Sequence, residues 1–297
     1  SIGTKPRLEF AATGGSRPWL KALTAHISGG YLSEGDTITI TFGDTSGGSP
    51  GFKMQTMVES AFQFKVLADP CAVHHWIPIP DQPAVAIVPG PPEHWKAVMS
   101  TLRRPGETFQ LGVKVEDEWG NPSDQVQTVL RFEPSLPVDG LPETAAFAKG
   151  DKSVQLENLS VAEEGELHIK VLDDATGDLL YEAGPMIIQA GEYAGYWGDL
   201  HGQSGESIGI TNAREYFEFA RNMAFLDVIS HQANDFQVNN AFWEHLNELT
   251  ALHNMDGRFV TFPGYEWSGN TSVGGDRNVY FREEGRQIRR SSHALLP

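Results

Sequence analysis

The sequence holds a single cysteine, Cys71, so no intrachain disulfide can form. This fits a reducing compartment, and it equally fits an exported protein that does without disulfides, so cytoplasm and periplasm both stay open. Basic residues are scarce: 22 Lys and Arg stand against 39 Asp and Glu, a net charge of −17. That balance argues against nucleic acid or an anionic membrane as a partner, because both are held by basic surface. No apolar run is long enough to span a bilayer, which points to a soluble chain. A secretory leader is also missing, and the chain opens on Ser1 rather than Met, as a processed or engineered product would. Nor is there a phosphate loop: GGSPG and GNTSVGG lack the Lys-Ser/Thr that would reach a nucleotide's phosphates.

What is present is enough chain for two or three domains, at 297 residues. Residues 1–135 read as an all-β, sandwich-like module. DTITITFGD (Asp36–Asp44), AFQFKVLAD (Ala61–Asp69), TFQLGVKVEDEWGNP (Thr108–Pro122) and VQTVLRFEP (Val126–Pro134) alternate apolar and polar residues with the period of half-buried strands. GDTSGGSPGFKMQ (Gly43–Gln55) reads as a flexible connector. SLPVDGLPE (Ser135–Glu143) has the composition of a linker. Residues 136–191 then give either a second, small β module or a continuation of the first, with DDATGD (Asp173–Asp178) as its hairpin turn.

After Tyr196 the period changes. YWGDL is a short apolar strand. TNAREYFEFARNMAF predicts a helix capped by Asn212, with Glu215 three residues on and an apolar face of Tyr216, Phe219 and Ala220. LDVIS (Leu226–Ser230) predicts a strand buried on both faces. Residues 239–254 predict a second helix, with Phe242, Leu246, Leu249 and His253 at helical spacing and Gly257 in its cap region. RFVTFPGYEW and NVYF predict further strands. Strand, helix, strand, helix, strand is the grammar of a parallel sheet.

Ligands of parallel α/β folds gather at the carboxyl ends of the strands. There this chain places Asp199 and His201, then His231 with Gln232, Asn234 and Asp235, then Glu266, with Asp276 before the last strand. Imidazole and carboxylate from three successive strand ends suit a divalent metal site of Zn, Mn or Fe. His245 and His253, in mid-helix, read as structural or surface residues, and His74, His75 and His94 as surface.

GDLHGQSGES, LDVISHQAND and PGYEWSGNTSVGGDRNVYF resemble the DUF3604 family, a branch of the PHP (polymerase and histidinol phosphatase) superfamily of metal-dependent hydrolases. GDTSGGSPGFKMQT, VEDEWGNP and GPMIIQ look like the β modules that precede the catalytic part in that family. The resemblance implies a distorted (β/α)7 barrel over residues 192–297. It also implies one to three metal ions at the C-terminal rim and hydrolysis of a phosphoester in the better-known members. Carried over residue by residue, it makes His201, Gln203, His231, Glu266 and Asp276 metal ligands, with Glu266 bridging. Three positions depart from the pattern: Gln203 stands for a second His, Ser230 for an Asp and Asp276 for a His.

From these residues follow a working scheme and its rivals. Metal-bound water attacks a phosphoester of a small, anionic substrate. Asp199 orients His201, Arg277 neutralises the substrate's charge, and Asn234 and Asp235 line the pocket. The rivals are hydrolysis of an amide or carboxylic ester on the same scaffold, and a catalytically altered binding or scaffold protein. A barrel needs roughly 200 residues or more, about twice what Tyr196–Pro297 supplies. The chain is therefore expected to be the N-terminal part of a longer protein, with its barrel completed by missing residues or by a second polypeptide segment.

Overall fold

A computed structural model describes residues 5–15, 20–269 and 274–291. GNTSVGG falls partly outside these, as does the end of the polar tail. The described chain is rich in β structure and forms two compact units, Ser1–Ile87 and Val88–Pro297. Among the described residues there are two helices, and neither is long and apolar enough to cross a membrane.

Among its described residues the first unit contains three separate antiparallel ribbons. Strand β1 (Lys5–Ala11) pairs with β2 (Ala22–Ser28), β3 (Glu59–Gln63) with β6 (Ala84–Ile87), and β4 (Leu67–Ala68) with β5 (Ile77–Pro78). The strand expected over Asp36–Asp44 is not formed. Alternation sets which side chains share a face, but a strand also needs a neighbour to take its backbone hydrogen bonds. Here Ile38, Ile40 and Phe42 remain about half exposed, and Phe42 stacks on Phe64 at 4.7 Å.

The second unit opens with two sheets. One has the order β11-β10-β13-β14-β8 and the other β12-β9-β7. The strands are β7 (His94–Met99), β8 (Leu102–Arg103), β9 (Phe109–Glu116), β10 (Thr128–Pro134), β11 (Thr144–Phe147), β12 (Ser153–Leu159), β13 (Gly165–Asp173) and β14 (Leu179–Ile188). Phe109, Leu111, Val113 and Val115 of the smaller sheet meet Leu130, Phe132, Leu167, Ile169, Val171 and Met186 of the larger in one core. Strands on either side of Ser135–Glu143 share that core. The turn at DDATGD forms as its residues require: Asp173 Oδ1 accepts from the backbone N–H of Ala175 and Thr176, and Gly177 takes the positive φ.

Strand β9 is buried on both faces. Its odd-numbered residues face the sandwich core. Its even-numbered residues, Gln110, Gly112 and Lys114, face the last part of the chain. The Gln110 side chain donates to the carbonyl of Phe225, and Lys114 Nζ lies 5.9 Å from the Phe225 ring centroid.

That last part begins at β15 (Gly198–Gly202), continues through helix α1 (Ala213–Asn222), β16 (Val228–His231), helix α2 (Asn240–His253) and β17 (Val260–Thr261), and ends with β18 (Gly264–Ser268) and β19 (Asp276–Tyr280). Strands β15, β16 and β17 form a parallel sheet in that order. Among the described residues the α/β grammar therefore holds for three strands and two helices, and these do not close a (β/α)7 barrel. The expected strand RFVTFPGYEW breaks at Pro263, which has no N–H to give a ladder. Beyond the break β18 leaves the parallel sheet and pairs antiparallel with β19.

Asn212 caps α1, its side chain accepting from the N–H of Glu215, and Asn239 caps α2 in the same way through Phe242. The buried face of α1 is Ala213, Phe217 and Ala220. Phe219, expected on that face, is turned aside, with Lys114 Nζ 6.0 Å from its ring centroid. In α2, His253 is buried against Phe217 and bonded to its own helix through Leu249, while His245 is exposed.

Candidate functional site

Two anchors fix β15. Arg103, buried, sends its guanidinium to the carbonyls of Leu102, Thr108 and Gly195 and lies 4.6 Å from the Tyr196 ring centroid. The indole N–H of Trp197 donates to the Met99 carbonyl at 3.0 Å, and its backbone N–H donates to Asp227. Burial raises the Asp227 carboxyl above its ordinary value, and that backbone N–H works against the rise. The strand then carries Asp199 near its start and His201 near its carboxyl end.

Glu266 on β18 is the centre of the arrangement. It is buried, and its Oε2 accepts two amide hydrogens, from Gln203 at 3.0 Å and from Asn234 at 2.8 Å. Its Oε1 lies 4.0 Å from His201 Nε2. The other ring nitrogen of His201 meets the Asn278 side-chain amide, 2.9 Å from Oδ1 and 2.7 Å from Nδ2. Asn278 stands opposite Glu266 in the β18–β19 register. Tyr280 and Asn278 also donate to the Leu200 carbonyl, which ties the ribbon to β15. Asp199 Oδ1 accepts the backbone N–H of His201 at 2.9 Å, fixing the backbone beneath that ring.

The remaining expected residues are placed differently. Asp276 pairs with Ser268 and shares the face of Glu266, two residues along the strand, and it is exposed. Arg277 pairs with Trp267 and so falls on the opposite face of the ribbon, because successive strand residues alternate. It is not brought to Glu266. Asp235 is fully buried and committed to structure. Its carboxylate accepts the backbone N–H of Ser268 and both the backbone N–H and the hydroxyl of Ser291, tethering two segments. It lines no pocket.

His231 is buried as well, but it turns towards Ser204, with Nε2 2.7 Å from Ser204 Oγ. The Tyr216 and Phe242 rings stand nearly perpendicular to it, at 5.3 and 6.0 Å. Burial drives its pKa down to about 4, with Glu206 pulling the other way. Tyr216 is itself pushed up, by burial first and then by Asp199. Among the described residues no group of three or more His, Cys, Asp and Glu side chains is close enough together to hold a metal ion. The five expected ligands thus resolve into a facing pair, His201 and Glu266. Gln203 serves Glu266 as an amide donor, Asp276 lies along the same face, and His231 belongs to a separate buried cluster.

The sequence pattern passed over three residues. Asn278 stood in the family-like stretch GGDRNVYF and in its strand, with no role of its own. Ser204 and Glu206 sit in what reads as a loose polar turn, yet Ser204 is fully buried and Glu206 Oε1 accepts the first backbone N–H of α1, at Ala213. A carboxylate in the turn six residues before the capping Asn212 was the available signal.

Residues 201–294 match the family described as protein of unknown function DUF3604. The chain is also 26% identical over 182 residues to a protein of Chlamydia pneumoniae whose description is "uncharacterized protein". That alignment covers 59% of this chain and 29% of the other, so this chain spans less than a third of the length of that curated relative.

Proposed function

We propose that the rim formed by His201, Gln203, Asn234, Glu266 and Asn278 is the working part of a metal-dependent hydrolase of the PHP kind. The observation that carries this reading is Glu266. Two side-chain amides occupy one of its oxygens, and the other faces His201 Nε2 at 4.0 Å. An imidazole and a carboxylate oxygen opposed in this way form half of a Zn, Mn or Fe site. Asn278 supports the fit, because ligating imidazoles commonly engage an outer partner through their second nitrogen. Asp276, on the same face, is the nearest further donor by register.

In this scheme His201 and Glu266 hold the ion, Gln203 and Asn234 aim Glu266, and Asp199 fixes the backbone of His201. A bound ion would supply a water of lowered pKa and a Lewis acid for a phosphoester or a related ester or amide. The same reading asks for more parallel strands than three. It is supported by β15, which forms an edge of its sheet, with Leu200 in the strand and Trp197 just before it both substantially exposed. We assign the missing strands to a second polypeptide segment pairing there. Light scattering coupled to size exclusion tests this part, and a stable monomer at the chain's own 32.6 kDa would count against it.

A non-catalytic scaffold is favoured by one observation, the lack of a third close ligand among the described residues. Metal analysis after reconstitution, together with a panel of phosphoesters, carboxylic esters and amides, separates the two. Stoichiometric Zn, Mn or Fe, with turnover lost in Glu266→Ala, supports the hydrolase. Substoichiometric metal and no turnover supports the scaffold.

A further inference from the structure

The buried cluster beside the rim has a direction built into its hydrogen bonds. Glu206 is a carboxylate and so only accepts. Its Oε1 takes the backbone N–H of Ala213 at 3.2 Å, and its Oε2 takes the Ser204 hydroxyl at 2.5 Å. Ser204 has one proton, and it goes to Glu206. Towards His231, 2.7 Å away, the hydroxyl oxygen can then only accept. The ring must therefore carry a proton on Nε2. In a neutral imidazole that leaves Nδ1 as a bare lone pair, and His231 Nδ1 is a buried atom with no hydrogen-bond partner among the described residues.

We propose that Glu206, acting through Ser204, is a positioning residue that fixes His231 in its Nε2–H form and keeps Nδ1 as an unpaired acceptor. The consequence concerns ligand chemistry. A group that reaches Nδ1 must bring a proton donor or a cation, and an acceptor such as a carboxylate or phosphate oxygen is refused. This goes beyond the proposed hydrolase and holds whether or not His201 and Glu266 bind metal.

The backbone N–H of Ala213 makes the proposal testable, because it cannot reverse. In Glu206→Gln the new amide must turn its oxygen to that N–H and its NH2 to Ser204. The Ser204 hydroxyl, now receiving a proton from residue 206, leaves its own buried proton unpaired unless it goes to His231 Nε2. The tautomer inverts.

The measurement is a long-range 1H–15N correlation spectrum of the full chain labelled with 15N-histidine, at neutral pH, with the His231 signals identified by their loss in His231→Gln. The expected result is an N–H at Nε2 and a bare Nδ1 in the wild type, exchanged in Glu206→Gln. A wild-type spectrum with the proton on Nδ1, or on both nitrogens, overturns the proposal. So does a folded Glu206→Gln whose tautomer is unchanged. If circular dichroism shows that Glu206→Gln does not fold, Ser204→Ala replaces it. Loss of the single Nε2–H form there supports the relay, and retention of that form overturns it.

Discussion

Phe225 lies where a side chain at residue 112 would begin. A Cβ built on Gly112 would sit 2.3 Å from the Phe225 ring, which is buried and reached through a backbone at φ +56°. A non-glycine residue in that region is strained and persists only where its surroundings hold it. Here Gly112 receives the ring, Gln110 bonds the Phe225 carbonyl, and the Ser153 and Gln155 side chains bond the Asn222 carbonyl. The loop between α1 and β16 is thus docked on β9, at the amino end of the strands and away from the rim that carries His201.

Gly112→Ala should therefore destabilise the second unit by about 1–3 kcal/mol, the usual cost of overpacking. Phe225→Ala should cost about 3–5 kcal/mol through the cavity it leaves. Urea unfolding followed by tryptophan fluorescence measures both, and an unchanged midpoint for Gly112→Ala would rule out the tight contact.

Asn234 contributes to the rim by orienting Glu266. Asn234→Ala removes one of two amide donors from Glu266 Oε2 while leaving every proposed ligand in place. Outer partners of this kind typically alter metal affinity by about 10–100-fold, and a Zn2+ titration by calorimetry should show a weakening in that range. Wild-type affinity in the variant would mean that Glu266 needs no such help.

Acid should weaken the fold through His231. Its pKa is about 4 in the folded chain, against an ordinary value of 6.5. Between those values the unfolded chain binds more protons than the folded one, so stability rises with pH across the window. The contribution is complete above pH 6.5 and is lost progressively as pH falls towards 4. Its size is on the order of 3 kcal/mol at 1.36 kcal/mol per pKa step. Unfolding midpoints compared at pH 5 and pH 7.5 should drop in the wild type and drop less in His231→Gln. Equal drops would assign the acid sensitivity elsewhere.

Asn212 gives a simpler test. Its side chain satisfies the N–H of Glu215 at 2.9 Å, and Asn212→Ala should cost about 1 kcal/mol, as losses of such caps do. Asn212→Ser should restore most of it, since a serine hydroxyl can accept the same bond. If serine is no better than alanine, the cap is not what stabilises this helix end.

Much of this was legible from residue order because it is local. The cap at Asn212, the Asp173 turn, strand β9 and the three parallel strands each follow from a short-range pattern: a side chain that reaches its own backbone, or a period of two or 3.6. The appearance of His201 and His231 at the ends of parallel strands follows from the same grammar, whereas Glu266 lies in the middle of β18 in the antiparallel ribbon. Where the pattern misled, the deciding partner lay far along the chain. Asp36–Asp44 has the alternation of a strand, but among the described residues no strand pairs with it. Pro263 ended a strand that periodicity would have continued, and β18 found β19 instead. The strand register set Arg277 on the face away from Glu266, and burial made Asp235 a tether between segments 33 and 56 residues away. Ser204 and Glu206 read as turn residues until folding buried the serine between a carboxylate and an imidazole. Sequence by itself determined which residues could carry chemistry. Only the tertiary structure decided which atoms face one another, because that depends on register, burial and hydrogen-bond direction among residues that residue order keeps apart.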